Sequence, residues 1–381
     1  MLGELKEQEM KKERKKIILT GGHAATTALA TMEELKISTK FRWELIWVGA
    51  KYAFEGKDIL NIEFKVFPKH DIKCIPIVAG KLQRRISLYT LPAFFRLPIG
   101  FLMAFLILVR EKPDIILSFG GYAAVPVVIV GWILRIPIVI QEQIMTAGMA
   151  NKLTSRYAKK IAVARRESIE FFPKEKTVLT GNPVMKSIIQ VKPKFQLERN
   201  KKPVVFVMGG SRGSHTLNSI ISEGLERLLT EYKLIHVTGD LDYKELTEKR
   251  HNLSFDLRKD YKIYDFVDPM KIADLYNLSD IVIGRGGANS VSEIMLTARP
   301  AILVPIPKTW NDEQNKNANY ARESGIARVI PQSKLTPERL LKDLFQIRKN
   351  WEKMVRQVVG MKLIDREAAE RLVDILEECV K

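Results

Sequence analysis

The sequence is poor in the side chains that staple, ligate or span. Only two cysteines, Cys74 and Cys379, occur in 381 residues. They fit no metal-ligand spacing and no disulfide framework, as in a reduced cytosolic compartment. Five histidines lie scattered along the chain, and no metal site is expected from them. The sequence does not suggest a Ser-His-Asp nucleophile system. Zinc-finger spacings, an RNP motif and an evident helix-turn-helix are also missing, so nucleic acid is not the expected partner. The longest apolar stretch, Leu97–Val109, has 13 residues between Arg96 and Arg110, short of the ~20 that span a bilayer. Met1–Lys16 is a mixed-charge run without an apolar h-region; it reads as a solvated tail ahead of a strand, and no secretory signal is expected.

What is present is ordinary globular composition with a large basic excess. Apolar residues make up 46% and charged residues 28%, which excludes disordered and fibrous classes. The net charge is +18, from 62 Lys and Arg against 44 Asp and Glu. Residues 1–190 carry 30 basic and 17 acidic side chains, whereas 191–381 carry 32 and 27. The first half therefore holds most of the field, which suits an anionic membrane surface or a phosphorylated substrate. Within residues 81–112, six basic residues and one acidic residue frame an apolar run containing Phe94, Phe95, Leu97, Ile99 and Phe101. Such a stretch reads as an interfacial membrane contact, or alternatively as a core helix with basic flanks.

β-Branched runs alternate with helical patterns, the mark of parallel sheets built from βαβ units. Strands are expected at 16–20, 43–49, 114–120, 137–142 and 160–164, then at 203–210, 233–239, 261–267, 280–287 and 301–307. A glycine turn follows the first strand of each set. The fold class is therefore α/β, with two Rossmann-like domains, parallel sheets and an interdomain cleft. Residues 1–185 form the expected N-terminal, membrane-facing domain, and 186–359 the expected C-terminal domain. Residues 360–381 are an amphipathic helix expected to pack back on the first domain, with Leu363, Ala368, Leu372, Ile375, Leu376 and Cys379 along one face.

Five segments can carry chemistry. Gly21-Gly22-His23 leaves a strand and opens a helix whose N–H groups suit an anion; His23 at the mouth between domains is suited to be a general base. Read alone, the same segment is a tight turn with an incidental histidine. Gly209-Gly210-Ser211-Arg212-Gly213 repeats the strand–glycine–helix plan as a phosphate cradle, although its spacing is not the dinucleotide fingerprint. Gly284-Arg285-Gly286-Gly287-Ala288-Asn289-Ser290-Val291-Ser292-Glu293 follows the strand at 280–283. There Glu293 suits a ribose diol, or is simply a carboxylate favoured by the helix dipole. Asp312-Glu313-Gln314-Asn315-Lys316-Asn317-Ala318 is a polar cluster able to hold sugar hydroxyls, or a solvated loop. Gly120-Gly121-Tyr122 and Glu142 also fall at strand ends, and Glu142 is the second acid–base candidate.

In this order and spacing, TGGH (20–23), SFGGY (118–122), TGNPV (180–184), GGSRG (209–213), GGANSVSE (286–293) and DEQNKNA (312–318) resemble the MurG family, peptidoglycan N-acetylglucosaminyltransferases. The resemblance runs from about Lys16 to about Ile330. It implies a GT-B fold, UDP-GlcNAc as donor, lipid I as the lipid-linked acceptor, inversion at the anomeric carbon and no cofactor or active-site metal. It also implies a peripheral protein on the cytoplasmic face of the cell membrane. By position, Ser211 meets the donor phosphates and Val267 reads the uracil through its backbone. Ala288, Asn289 and Ser290 line the diphosphate, Glu293 the ribose, and Glu313 and Gln314 the GlcNAc; His23 stands by the acceptor hydroxyl. The sequence departs from the family where GGTGGH followed by Phe-Pro becomes ILTGGH followed by Ala24-Ala25. His-Glu-Gln-Asn becomes Gln141-Glu142-Gln143-Ile144, and NPVR becomes NPVM ending at Met185. These changes cluster on the acceptor half. They leave room for another lipid glycosyltransferase acting on diacylglycerol, for a UDP-GlcNAc 2-epimerase, or for a non-catalytic sugar-nucleotide scaffold.

Overall fold

A computed structural model describes residues 12–22, 24–54, 57–78, 90–198, 201–210 and 213–380. The chain divides into two compact units, Met1–Met185 with Ile364–Lys381, and Lys186–Leu363.

In the first unit the strands are β1 (Glu13–Gly21), β2 (Phe41–Gly49), β3 (Tyr52–Phe54), β4 (Lys57–Leu60), β5 (Lys73–Pro76), β6 (Ile115–Ser118), β7 (Ile138–Glu142), β8 (Lys160–Val163) and β9 (Thr177–Leu179). Seven of them form a parallel sheet in the order β5-β2-β1-β6-β7-β8-β9, and β3 and β4 pair as a separate antiparallel hairpin. The central strands are buried on both faces, so they read as continuous apolar runs: Ile17, Ile18 and Leu19 of β1 and Ile115, Ile116 and Leu117 of β6 are fully enclosed. β5 and β9 close the two edges, and the sequence reading missed both. They are four and three residues long and only partly buried, so they lack that signature. The helices used below are α1 (Ala25–Ile37), α2 (Thr90–Glu111), α3 (Ala124–Ile133) and α4 (Met149–Thr154).

The chain returns to this unit at Ile364. Asp365 accepts a forked pair of hydrogen bonds from Arg165, at 2.6 and 2.7 Å, and a third from the Asn182 N–H at 2.8 Å. Gly181, with φ +88°, leaves room for the Ile364 carbonyl, which a Cβ would meet at 2.8 Å. The helix Ala368–Val380 then buries Leu372, Leu376 and Cys379. Leu363, expected on that face, belongs instead to the second unit.

The second unit contains β10 (Val204–Met208), β11 (Lys233–Val237), β12 (Tyr261–Tyr264), β13 (Ile281–Gly284), β14 (Ala301–Leu303) and β15 (Ala327–Val329), all parallel in the order β12-β11-β10-β13-β14-β15. Its helices include α5 (His215–Glu223), α6 (Ile272–Leu278), α7 (Ala288–Thr297) and α8 (Glu313–Glu323). The expected strand at 261–267 stops at Tyr264, where Asp265 turns its carboxylate onto the Phe266 N–H. Val267 therefore lies in the loop beyond β12. Two units of this kind are the Rossmann-like pair of the GT-B architecture.

Candidate active site

In each sheet the connections run one way from the first strand and the other way from a neighbour, so the strand order reverses between β1 and β6 and between β10 and β13. At such a switch point the loops diverge above the carboxyl ends of the strands and leave a crevice, the usual ligand position in open α/β sheets. The four principal glycine segments named from sequence leave those four strands.

In the second unit β10 and β13 pair from Val205↔Ile281 to Met208↔Gly284, which sets their loops side by side. Not all of the glycines there do the same work. A Cβ on Gly213, where φ is +74°, would stand 1.9 Å from the Thr238 carbonyl oxygen, and one on Gly286 would stand 2.2 Å from that of Gln314. These two are required by packing. Gly210, at φ +94°, has no described residue within 4 Å of the corresponding position, and Gly287 among them only Ser290 Oγ at 3.9 Å. These two border open space where a ligand can approach the backbone. α5 and α7 begin beyond the two loops, and their first-turn N–H groups, those of Ala288, Asn289 and Ser290 in α7, have no acceptor within the helix. Ser214 caps α5 by accepting from Leu217 N–H at 3.4 Å.

Glu293 lies further along α7, buried, with Tyr276 Oη–H of α6 donating to its Oε2 at 3.0 Å. Burial pushes the Glu293 carboxyl up to about 7, with the Tyr276 bond opposing the shift. Tyr276 is itself held edge-on against Phe206, ring centres 5.6 Å apart. The loop after β14 folds against the β13 loop. Asn317 Nδ2 donates to the Gly286 carbonyl at 3.1 Å, and Gln314 Oε1 accepts from Ile306 N–H at 3.0 Å. Lys308, Asn311 and Asp312 take left-handed backbone angles there. This orders the polar cluster at Asp312–Asn315, and Glu313 and Gln314 open α8 from it. Val267 stands apart, two strands away from β10.

In the first unit the β1 and β6 loops lie against each other. A Cβ on Gly121, at φ +87°, would meet Gly22 N at 3.0 Å, and one on Gly21 would meet Phe119 Cβ at 3.0 Å. Gly120, at φ +81°, sits against Asn151, and Tyr122 packs partly buried on the core. His23 lies outside the described residues, as do Ser211 and Arg212. Next to His23, the Ala24 N–H donates to buried Glu63 at 3.1 Å, so the protein's own carboxylate takes a donor that the sequence reading offered to an anion. Glu142 is engaged at both oxygens. Oε1 accepts from Ile144 N–H at 3.2 Å, and Oε2 accepts from Gly148 N–H at 2.8 Å and Asn151 Nδ2 at 3.0 Å. Beside it, both amide atoms of buried Gln141, Thr20 Oγ1 and Thr146 Oγ1 have no hydrogen-bond partner among the described residues. Buried polar atoms left so are where a ligand or water completes the network.

Residues 18–163 match the glycosyltransferase family 28 N-terminal domain, and residues 204–375 match the family's C-terminal domain. A Clostridium botulinum protein named UDP-N-acetylglucosamine–N-acetylmuramyl-(pentapeptide) pyrophosphoryl-undecaprenol N-acetylglucosamine transferase is 33% identical over 344 residues, covering 88% of this chain and 92% of the relative. The chain belongs to the MurG family, within glycosyltransferase family 28. A second MurG-family relative, from Bacillus thuringiensis, is 30% identical over 343 residues, with 89% and 93% covered. Among solved structures, Acinetobacter baumannii MurG aligns with a TM-score of 0.67 at 23% identity over 96% of this chain and 99% of that one. A Neisseria meningitidis UDP-GlcNAc 2-epimerase aligns at 0.63 and 12% over 96% and 100%. At those identities the two structures establish the shared fold alone.

Sequence reasoning missed Arg285, Tyr276, Asn317 and Glu63. Arg285 and Asn317 lay inside motifs already singled out, and their intervening position was the available signal. Tyr276 and Glu63 carry no local pattern.

The Glu293 carboxyl sits near 7 in the folded chain against an ordinary 4.5. Its neutral form is therefore favoured by folding, and its contribution to stability is lost as pH rises toward 7. The expected slope between about pH 5 and 7 is a fall of up to about 1.4 kcal/mol per pH unit. Glu293→Gln should flatten that slope and raise the melting temperature of the unliganded chain at pH 8. Parallel pH profiles for the two proteins would contradict the assignment.

Proposed function

We propose that this chain transfers GlcNAc from UDP-GlcNAc to undecaprenyl-pyrophosphoryl N-acetylmuramyl-pentapeptide, inverting the anomeric centre. The observation that carries the proposal is the β10–β13 switch point of a MurG-family chain. There two open glycines and two helix N-termini share one edge with a buried carboxylate. The donor diphosphate lies over Gly210, Ser211, Arg212 and Gly213 and the first turn of α7, at Gly287, Ala288, Asn289 and Ser290. Glu293 accepts from the ribose diol, the Val267 backbone reads the uracil, and Glu313 and Gln314 hold the GlcNAc hydroxyls.

The reaction is a single in-line displacement. The acceptor hydroxyl oxygen bonds to the anomeric carbon, and the bond from that carbon to the diphosphate breaks. UDP leaves with the electron pair, and the hydroxyl proton passes to a base. Fixed N–H dipoles at the helix ends stabilise the charge that builds on the leaving diphosphate. His23 is the proposed base. Glu142, with both oxygens already accepting three N–H bonds, is assigned to ordering the 142–151 loop instead. Gly21, Gly22, Gly120, Gly121, Tyr122 and the unpartnered Gln141 amide form the acceptor side.

The acceptor is lipid-linked, and the first unit has a face suited to a lipid surface. α2 turns Ala104, Ile107 and Leu108 inward but leaves Ile99, Leu102, Phe105, Leu106 and Val109 exposed. Neighbouring α3 adds Trp132 and Ile133, 53% and 61% exposed, and α4 adds Met149 and Leu153. Arg110, Lys112, Arg135, Lys152 and Arg156 belong to the same helices and their ends. A helix apolar on both faces, flanked by cations, supports peripheral binding to an anionic membrane on its cytoplasmic side through residues 81–112, of which 81–89 lie outside the described residues. Among the described residues, no helix is long and apolar enough to cross a membrane.

Labelled GlcNAc should pass from UDP-GlcNAc to a short-chain lipid I analogue and not to diacylglycerol. Transfer to diacylglycerol would overturn the acceptor, and UDP-GlcNAc binding without transfer would overturn the activity. In the same assay His23→Ala should slow turnover by about 10²–10⁴-fold, and near-normal turnover would remove His23 from the base role. Flotation with vesicles containing anionic lipid should recover the chain at low salt, and the Leu102→Asp, Leu106→Asp double variant should stay in solution. Equal flotation of the two proteins would contradict the proposed face.

A further inference from the structure

Among the described residues, three arginines are buried, and they are held in different ways. Arg165 forks onto the Asp365 carboxylate. Arg299 donates to the carbonyl oxygens of Tyr276, Ser279 and Thr297, and the charge of Asp280 favours its cation. Arg285, 6% exposed, has neither kind of anionic support among the described residues. Its Nη1 donates to the Val304 carbonyl at 2.9 Å and to Gln332 Oε1 at 2.8 Å, and its Nε and Nη2 donate to Ser214 Oγ. All of these acceptors are neutral. Burial holds its guanidinium below the ordinary range, and no carboxylate offsets the shift.

A buried charge without a counter-charge is costly, and proteins rarely keep one unless something supplies the opposite sign. The position of Arg285 says what that is. It stands between Gly284 and Gly286, directly after β13, and its fork grips the residue that caps α5 after the β10 loop. The two helix N-termini on this edge add positive potential. The nearby carboxylates are committed elsewhere: Asp242 to His215 at 2.8 Å and Asn218 at 2.6 Å, and Glu293 to Tyr276.

We propose that Arg285 is a charge-balancing residue for the nucleotide diphosphate, held by Ser214 at the start of α5 and meeting its missing counter-charge in the bound donor. The inference rests on the donor-site reading given above. Contact is not required, because a fixed charge acts through the low-dielectric edge over several ångströms. During transfer, negative charge grows on the leaving diphosphate, and a cation already oriented before the reaction lowers that barrier without reorganising.

Calorimetric titration of the full chain with UDP and with uridine separates this role from a purely structural one, because both ligands need the folded loop and only UDP carries the diphosphate. Arg285→Met should weaken UDP by about 10–100-fold, the scale of one lost charged interaction, while uridine shifts by less than about threefold. Equal weakening of the two ligands, or an unchanged UDP affinity, would overturn the proposal. Should Arg285→Met not fold, Arg285→Lys decides. With the charge kept and the fork lost, its preference for UDP over uridine should stay within about threefold of the unaltered chain, and loss of that preference would overturn the proposal. An unaltered chain with no preference for UDP over uridine would instead bring down the donor-site reading itself.

Discussion

The parallel pairing of β10 with β13 is the constraint on which the proposed donor site depends. Register from Val205↔Ile281 to Met208↔Gly284 ends the two strands at the same height. Two glycine loops therefore leave from adjacent points, and the helices that follow aim their first N–H groups over one edge. A slip of one residue would turn the enclosed side chains of these strands to the wrong faces, so burial of Val205, Phe206, Val207, Ile281 and Ile283 fixes the register. Gly213 and Gly286 then become obligatory, because neighbouring backbone occupies the places their side chains would need. Gly210 and Gly287 keep the opposite property and border open space. Packing and ligand access are thus divided among glycines that look alike in the sequence.

Electrostatics separates the two units. The edge of the second sheet gathers positive elements, two helix ends and the Arg285 guanidinium, whose acceptors are all neutral. In the proposed reaction the leaving diphosphate would meet these elements already in place, which is how a site lowers the barrier to its departure without rearranging solvent. The corresponding edge of the first sheet is satisfied largely from within. Glu63 accepts from Ala24, and Glu142 draws Ile144, Gly148 and Asn151 around itself. Among the described residues, what remains unpaired there is neutral and polar, chiefly the Gln141 amide, and this fits hydroxyl and amide recognition better than phosphate binding.

Much of this was legible in the sequence because the signals were local. Central strands buried on both faces announce themselves as apolar runs, and glycine turns after them mark the carboxyl edge. Edge strands such as β5 and β9 carry no such run. The positions of Ala288, Asn289 and Ser290 at a helix start followed from GGANS, but the fate of Glu142 did not, since its partners come from a loop whose shape the sequence does not state. Arg285 was hidden for the same reason. Only the convergence of Ser214, Val304 and Gln332 reveals it as buried. The C-terminal segment was readable as an amphipathic helix, whereas the ion pair between Arg165 and Asp365, 200 residues apart, was not.

The account turns on where the nucleotide sits, and a crystal structure of the chain with UDP bound tests that most directly. The expected result is density above β10 and β13, with the diphosphate over Gly210 and the first turn of α7 and the ribose diol within hydrogen-bond distance of Glu293. A nucleotide bound at the carboxyl edge of the first sheet, or one whose ribose lies away from Glu293, would contradict it.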